Sequence, residues 1–138
     1  NLSHAIENLV DGAYFNSGQS CCGIQRVYVH ERLYDKFVDG WVDLTRKYVL
    51  GSPVDPETTL GPVVRTAAAD EIRRQIAASV AAGASAVLDE KEFATSQSGT
   101  PYLAPQVLLG ALPLRDVGSD AAERGDRQRQ PRLRAQQP

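Results

Sequence analysis

The sequence predicts an α/β fold in which a mainly parallel sheet is flanked by helices. Two long segments, residues 31–48 and 65–82, carry apolar side chains with a helical period. They alternate with short runs rich in β-branched and aromatic residues, as at residues 24–30. Such alternation is typical of a parallel sheet that is covered on both faces. We therefore expect one folded segment over residues 1–110 and a tail of different character over residues 111–138.

Composition and charge argue against several classes of protein. The 138 residues carry a formal net charge of −2 and are 42% apolar, which is ordinary for a globular chain. This charge gives no general attraction to nucleic acid or to an anionic membrane. No apolar run approaches the roughly 20 residues of a membrane span. The two cysteines are adjacent and cannot form a disulfide framework, so we expect a cytoplasmic protein.

The first predicted helix covers residues 1–14, with Ser3 as its expected N-cap. Its apolar side chains share one face: Ile6, Leu9, Val10, Ala13 and Tyr14. After a short loop, residues 24–30 are expected to form a strand covered on both faces. The elements thus begin in the order helix, loop, strand.

A second helix is predicted over residues 31–48, and we assign its apolar stripe to the core. The stripe consists of Leu33, Tyr34, Phe37, Val38, Trp41, Leu44 and Tyr48. Proline and glycine mark a turn-rich loop at residues 53–62. The helix over residues 65–82 should then end at Gly83 in a left-handed conformation.

The third helix should bury one face, formed by Ala69, Ile72, Ile76 and Val80. Short strands are expected at residues 84–88 and 102–109, on either side of a polar loop. From residue 116 onward the chain has few large apolar side chains beyond Val117 and Leu133. It cannot bury enough surface to offset its ordering entropy, which predicts a disordered C-terminal tail rather than a nucleic-acid-binding arm.

The loop at residues 15–23 holds both cysteines, Cys21 and Cys22. Its small residues can leave a thiol exposed, and its glycines let a substrate approach the backbone closely. Backbone N–H groups can then face an oxygen that gains negative charge when a thiolate attacks a carbonyl carbon. Composition alone favours a different interpretation, in which the thiols are small apolar fillers. The order of the residues decides between them.

Phe15, Gly18, Gln19 and Cys21 have the spacing of an active-site signature: an aromatic residue, then Gly-Gln, one further residue and the nucleophile. The segment resembles this signature of the NAD(P)-dependent aldehyde dehydrogenase superfamily. The resemblance implies that Cys21 is the nucleophile and Cys22 a bystander.

Other positions of the loop fit the same resemblance. Asn16 matches a position that is commonly Asn, and Ser20 fills a variable position. The predicted supporting loop therefore comprises Asn16, Gly18, Gln19, Ser20 and Cys22. Gln19 is expected to shape the loop rather than to take part in chemistry.

The resemblance extends over about residues 1–110. Residues 1–14 resemble the helix that leads to the nucleophile, and residues 28–37 the strand and helix that follow it. Residues 51–62 resemble a further family signature, and residues 102–105 a later strand that reads aromatic-x-x-Pro. Several separate motifs therefore agree.

The resemblance implies that a thiolate adds to an aldehyde, hydride passes to the nicotinamide of NAD or NADP, and a Glu helps to hydrolyse the thioester. The sequence has no G-x-G-x-x-G stretch. The family's dinucleotide-binding part and its general-base Glu correspond to positions before Asn1. The family's later segment, with a Glu ahead of Phe-Gly-Pro, is also absent. We therefore expect no cofactor site in this chain.

Three interpretations follow. The first, which we favour at this point, is a hydrolase of thiol esterase type that forms an acyl-thioester on Cys21 without a cofactor. The second is a fragment of an NAD(P)-dependent aldehyde dehydrogenase that oxidises an aldehyde only with its missing cofactor domain. The third is a non-catalytic remnant that oligomerises. The substrate would be a small ester or aldehyde, and a homo-oligomer is expected.

Other chemistry-bearing residues receive less weight. His4 and His30 are the only imidazoles and are candidate substitutes for a catalytic base. Ser20 fails the G-x-S-x-G pattern at its last position, which argues against a serine nucleophile. No Cys/His spacing suits a metal site.

Overall fold

Helices dominate the part of the chain that the computed structural model describes, residues 1–110. The α-helices are α1 (Leu2–Tyr14), α2 (Tyr34–Thr45) and α3 (Thr66–Ala81). The strands are β1 (Ser85–Ala86) and β2 (Leu108–Leu109), and 3-10 turns occur at Phe15–Gly18, Glu31–Leu33 and Glu90–Glu92. The predicted disordered tail, residues 111–138, lies outside the described residues.

Helix α1 begins two residues earlier than its predicted cap implies. Asn1 is the N-cap, since its side-chain oxygen accepts a hydrogen bond from the backbone N–H of His4 at 3.5 Å. Ser3 therefore lies inside the helix, and its hydroxyl contacts Glu7 at 3.5 Å. The predicted apolar face is confirmed at Ile6 and Val10, which are the buried residues of α1.

The first core cluster joins α1 to α2. Ile6 and Val10 pack there with Phe37 and Trp41, and all four are buried. A Cβ atom at Gly40 would lie 2.8 Å from Cδ1 of Ile6, so a glycine at this position lets the two helices approach closely. The predicted core stripe of the second helix is thus confirmed at its central turns.

Tyr14 packs on this cluster and connects it to Gln106, near the end of the described residues. Its ring lies edge-on to those of Trp41 and Tyr48, at centroid distances of 6.5 and 5.5 Å. Its hydroxyl donates a hydrogen bond to the backbone oxygen of Gln106 at 3.0 Å. Burial raises the pKa of Tyr14, more than hydrogen bonds with Trp41 and Thr45 lower it. The last residue of α1 is therefore fixed from several sides.

A second core cluster lies beneath the loop that follows α2. It consists of Leu50, Leu60, Phe93 and Ala104. Leu50 and Leu60 form a single parallel bridge, and the backbone N–H of Gly51 donates to the oxygen of Leu60 at 3.0 Å. The turn-rich segment between them is thereby closed at its base.

Helix α3 is attached to the later loops by a half-buried arginine. Arg73 donates to the backbone oxygens of Gln97, Thr100 and Tyr102, and it pairs with Asp70 and Glu90. The predicted inward face of α3 is buried at Ala69, but Val80 is 43% exposed. Gly83 ends the helix region with a φ of +104°, as predicted.

The mainly parallel sheet that the sequence predicts is not found within residues 1–110. Strands β1 and β2 pair antiparallel, with Ser85 opposite Leu109 and Ala86 opposite Leu108. The predicted strand at residues 24–30 has no ladder partner among the described residues. Its side chains still alternate, since Val27 and Val29 pack on the first core cluster while Tyr28 is 86% exposed. Residue preferences therefore identified an extended segment, but a strand also needs a partner.

None of the helices within residues 1–110 combines the length and apolar character that a membrane span requires.

Candidate active site

The loop that carries the cysteines leaves α1 through a left-handed turn. Asn16, Ser17 and Gly18 have φ angles of +50°, +58° and +75°. Left-handed backbone costs little at glycine and is tolerated by asparagine, but it is unfavourable at serine by roughly 1–3 kcal/mol. The hydroxyl of Ser17 donates to the backbone oxygen of Gly61 at 2.7 Å, which holds the turn in place.

Gln19 attaches the loop to the segment that follows Gly61. Its side-chain oxygen accepts from the backbone N–H of Val64 at 2.6 Å. Its side-chain NH₂ donates to the backbone oxygens of Asn16 at 3.0 Å and Pro62 at 3.5 Å. One amide therefore joins the turn to a neighbouring segment.

Two backbone hydrogen bonds close the rest of the loop. The N–H of Ile24 donates to the oxygen of Gly12 in α1 at 3.1 Å. The N–H of Gly23 donates to the oxygen of Ser20 at 3.1 Å, which places Cys21 and Cys22 at the two central positions of a β-turn. The thiols are thus presented on a turn whose ends are both fixed.

Both thiols are free and exposed, and their surroundings differ. The sulfur of Cys22 lies 3.3 Å from the hydroxyl oxygen of Ser20. The pKa of Cys22 is lowered, chiefly because this hydroxyl can donate a hydrogen bond to the thiolate, with a smaller contribution from the Cys21 side chain. Residue types alone do not predict this contact, because Ser20 fills a variable position of the motif.

The two candidate imidazoles make their hydrogen bonds within their own segments. His4 is on α1, and its ring nitrogens lie 3.3 and 3.4 Å from the side-chain nitrogen of Asn8. His30 accepts a hydrogen bond from the backbone N–H of Arg32 at 3.2 Å and caps the 3-10 turn there. Neither histidine shares a hydrogen bond with a cysteine within residues 1–110, so the proposed substitute bases are not supported.

A cavity of about 530 Å³ lies beside the base of the loop. Asp11, Phe15, Ser17 and Tyr48 contribute to its lining, and neither cysteine does. The pKa of Tyr48 is raised by burial and by the negative charge of Asp11. The cavity therefore lies against the α1 side of the loop and not at the thiols.

The chain is similar to proteins of one family by sequence and by structure. A sequence profile described as "Aldehyde dehydrogenase family" matches residues 1–117. An NADP-dependent succinate-semialdehyde dehydrogenase from Mycobacterium avium is 40% identical over 83 residues, which cover 60% of this chain and 18% of that protein. A 3-sulfolactaldehyde dehydrogenase from Priestia aryabhattai is 33% identical over 90 residues, covering 65% of this chain and 19% of that protein.

A solved structure of the same kind of enzyme also matches the chain. Succinate-semialdehyde dehydrogenase from Burkholderia pseudomallei superposes with a TM-score of 0.73 and 32% identity, covering 82% of this chain and 23% of that chain. The described residues thus have the fold of an aldehyde dehydrogenase segment, and the resemblance carried by the cysteine motif is confirmed. The chain spans about a fifth of the length of the curated relatives it matches.

These comparisons correct the predicted type of enzyme. The named relatives are dehydrogenases, so the prediction of a hydrolase of thiol esterase type is wrong. That prediction rested on the groups present in 138 residues taken by themselves. The second interpretation, a segment of an aldehyde-oxidising enzyme, agrees better with the relatives.

Proposed function

Because the chain belongs to the aldehyde dehydrogenase family, we propose that it supplies the nucleophilic cysteine of an NAD(P)-dependent enzyme that oxidises an aldehyde to a carboxylic acid. The observation that carries the proposal is the exposed Cys21 on a loop fixed at several points. Gly12, Gly61 and Val64 accept or donate the hydrogen bonds that fix it. A nucleophile held in this way reaches its substrate without first ordering the loop.

Cys21 is the proposed nucleophile, and Cys22 is its neighbour. Only Cys21 stands at the motif position after Gly18-Gln19 and one further residue. Its thiolate would add to the carbonyl carbon of the aldehyde. A carbon–sulfur bond forms, and the carbonyl π electrons move to the oxygen, which becomes an oxyanion.

The loop also offers a hydrogen-bond donor to that oxyanion. Within residues 1–110, the backbone N–H of Cys21 has no hydrogen-bond acceptor. A donor that is already fixed and unused stabilises developing negative charge without reorganising. Asn16, Gly18 and Gln19 would act indirectly, by holding the backbone of the loop in its left-handed turn.

The described residues do not fit a nicotinamide dinucleotide. Phosphate binding in such sites uses a strand, a glycine-rich turn and a helix N-terminus from a parallel βαβ unit. The strands within residues 1–110 are an antiparallel pair of two residues each. We therefore propose that residues outside this segment hold the cofactor.

Self-association is a further part of the proposal. Tyr28, Val54 and Val64 are 86%, 90% and 80% exposed. Covering such side chains with another polypeptide surface removes apolar area from water, which favours association. A homo-oligomer, or the remaining parts of a longer enzyme, would cover them.

The proposal is tested in a chimera. Residues of this chain replace the homologous segment of the Mycobacterium avium enzyme, and aldehyde-dependent reduction of NADP⁺ is followed by absorbance. We expect Cys21→Ala to lower kcat/KM by at least ~10³-fold, because it removes the nucleophile. Cys22→Ala, the matched control on the same turn, should retain activity within about tenfold. Activity that survives Cys21→Ala and is lost in Cys22→Ala would contradict the assignment.

A further inference from the structure

The segment at residues 24–30 follows the cysteine loop, and most of its backbone has no partner in the described part of the chain. At its start, the N–H of Ile24 donates to the oxygen of Gly12. At its end, His30 has an extended backbone, with φ −63° and ψ 136°. Between these two points, the N–H and C=O groups of residues 25–29 make no hydrogen bond to any described residue.

One face of this segment is already in contact with the core. Val27 and Val29 pack on the first core cluster, while Tyr28 between them is exposed. The segment contains no proline and no lysine, the residues that commonly protect the edge of a sheet. A segment held on one face, with free backbone groups along its length, can pair with a further strand.

The described part of the chain has no strand left to supply. Strands β1 and β2 contain two residues each and pair with each other. In residues 111–138, Val117 is the only β-branched or aromatic residue, so this sequence is a poor strand former. A partner strand is therefore expected from another polypeptide chain.

The order of the side chains makes the segment complementary to itself. Val27, Tyr28 and Val29 give the same pattern in both directions. When two copies run antiparallel about a two-fold axis at Tyr28, Val27 of one copy faces Val29 of the other. The two Tyr28 rings then face each other. Aromatic and β-branched pairs that lie directly opposite in this way stabilise an antiparallel ribbon.

The same register brings opposite charges together. Arg26 of one copy lies at the end of the ribbon where Glu31 of the other copy begins a 3-10 turn. Both side chains are exposed, and neither forms a salt bridge within residues 1–110. The two-fold axis repeats this arrangement, so the charges are complementary at both ends of the ribbon.

We propose that residues 24–30 are a self-association site, at which a second copy of this chain adds an antiparallel strand about Tyr28. The proposal names the surface for the self-association described above, and it rests on that part of the proposed function alone. Main-chain hydrogen bonds at residues 25–29 supply the affinity, and the opposed side chains set the register. A ribbon this short is smaller than a standard interface of roughly 800 Å² per partner, so the dimer is weak.

The test is sedimentation equilibrium of the purified 138-residue chain, combined with amide hydrogen exchange read by mass spectrometry. Between about 5 and about 500 μM the monomer should convert to a dimer, a range suited to a small interface. At the higher concentration, alternate amides within residues 25–29 should exchange at least about fivefold more slowly, because alternate residues donate across an antiparallel ribbon.

Tyr28→Lys places two like charges directly opposite each other and should weaken dimerisation by at least about tenfold. Val54→Lys is the matched control, because Val54 is also a highly exposed apolar residue and gains the same charge in a different loop. Its dimerisation should stay within about threefold of that of the parent chain. Circular dichroism shows whether both variants are folded.

A chain that stays monomeric, or a dimer whose residues 25–29 exchange as fast as in the monomer, would overturn the proposal. Protection that does not depend on concentration would do so too, since it would place the partner strand within the same chain. Equal effects of the two lysine substitutions, or assemblies larger than a dimer, would contradict the two-fold pairing at Tyr28. None of these results changes the activity of the chimera that tests Cys21, so the two proposals fail separately.

Discussion

At the tip of the cysteine loop, one side chain makes three hydrogen bonds to backbone groups. Gln19 contacts Asn16, Pro62 and Val64, and the shortest of these bonds is 2.6 Å. It is the contact by which the turn at Phe15–Gly18 is held against the segment after Gly61. The position of the nucleophile therefore depends on an amide that has no chemical role of its own.

We expect Gln19→Ala to destabilise the fold by about 1–2 kcal/mol, since it removes three hydrogen bonds, to Asn16, Pro62 and Val64. The measurement is urea denaturation of the purified chain. Gln75→Ala, which removes a single exposed hydrogen bond to Glu71, is the control and should change stability much less. Equal effects of the two substitutions would show that Gln19 does not fix the loop.

The contact between Ser20 and Cys22 makes the alkylation of Cys22 depend on pH. The Ser20 hydroxyl favours the thiolate, so the pKa of Cys22 lies below its ordinary value of 9.0. Ser20→Ala should therefore move the pH–rate profile for iodoacetamide to higher pH. Both measurements use a Cys21→Ser background, which isolates the signal from Cys22. An unchanged profile would show that Ser20 does not stabilise the thiolate.

The residue types of the cysteine loop identify the motif, but they do not predict the hydrogen bonds that surround it. Phe15, Gly18, Gln19 and Cys21 carry a recognisable spacing, so the family was predictable. The contact of Ser17 with Gly61 joins positions 44 apart in the sequence. Nothing in the residue types shows which carbonyl a serine will reach, because that is decided by tertiary packing.

Among the elements, α3 depends on one arginine for its attachment. Arg73 is only 16% exposed in its side chain, and its planar guanidinium reaches three backbone oxygens as well as two carboxylates. A fixed fork of donors is suited to several acceptors at once, and lysine cannot reproduce it. The loops at Gln97, Thr100 and Tyr102 are thereby joined to the helix.

Removing the Arg73 side chain should destabilise the fold. We expect Arg73→Ala to lower the free energy of unfolding by about 1–3 kcal/mol, because the half-buried carbonyl oxygens of Thr100 and Tyr102 lose a charged donor. Arg74→Ala is the adjacent control: its side chain is 56% exposed and pairs with Glu71, and it should have little effect. Thermal or urea denaturation compares them. Similar losses for both would contradict the role of Arg73.

The helices were predictable because each carries enough periodic apolar residues to define a face, as Phe37 and Trp41 do in α2. The strand predicted at residues 24–30 is not formed among the described residues, although Val27 and Val29 alternate as expected with Tyr28. Strand formation depends on hydrogen bonds to a neighbour that the local sequence does not specify. The same limit applies to the parallel sheet.

For the whole molecule, the family could be predicted from the sequence, but the type of enzyme could not. The motifs spread over residues 1–110 predicted the family, which the profile over residues 1–117 confirms. The hydrolase prediction was wrong because hydride acceptance needs groups that need not lie near the nucleophile in sequence. The chain spans about a fifth of the length of the relatives it matches.

The residue that carries the acyl group during turnover identifies the nucleophile. In the chimera with the Mycobacterium avium framework, aldehyde and NADP⁺ are mixed for a single turnover and quenched in acid, and the cysteine peptide is sequenced by mass spectrometry. We expect the acyl mass on Cys21, and no adduct in Cys21→Ala. An acyl group on Cys22, or oxidation of aldehyde without any adduct on the loop, would contradict the assignment of Cys21 as the nucleophile.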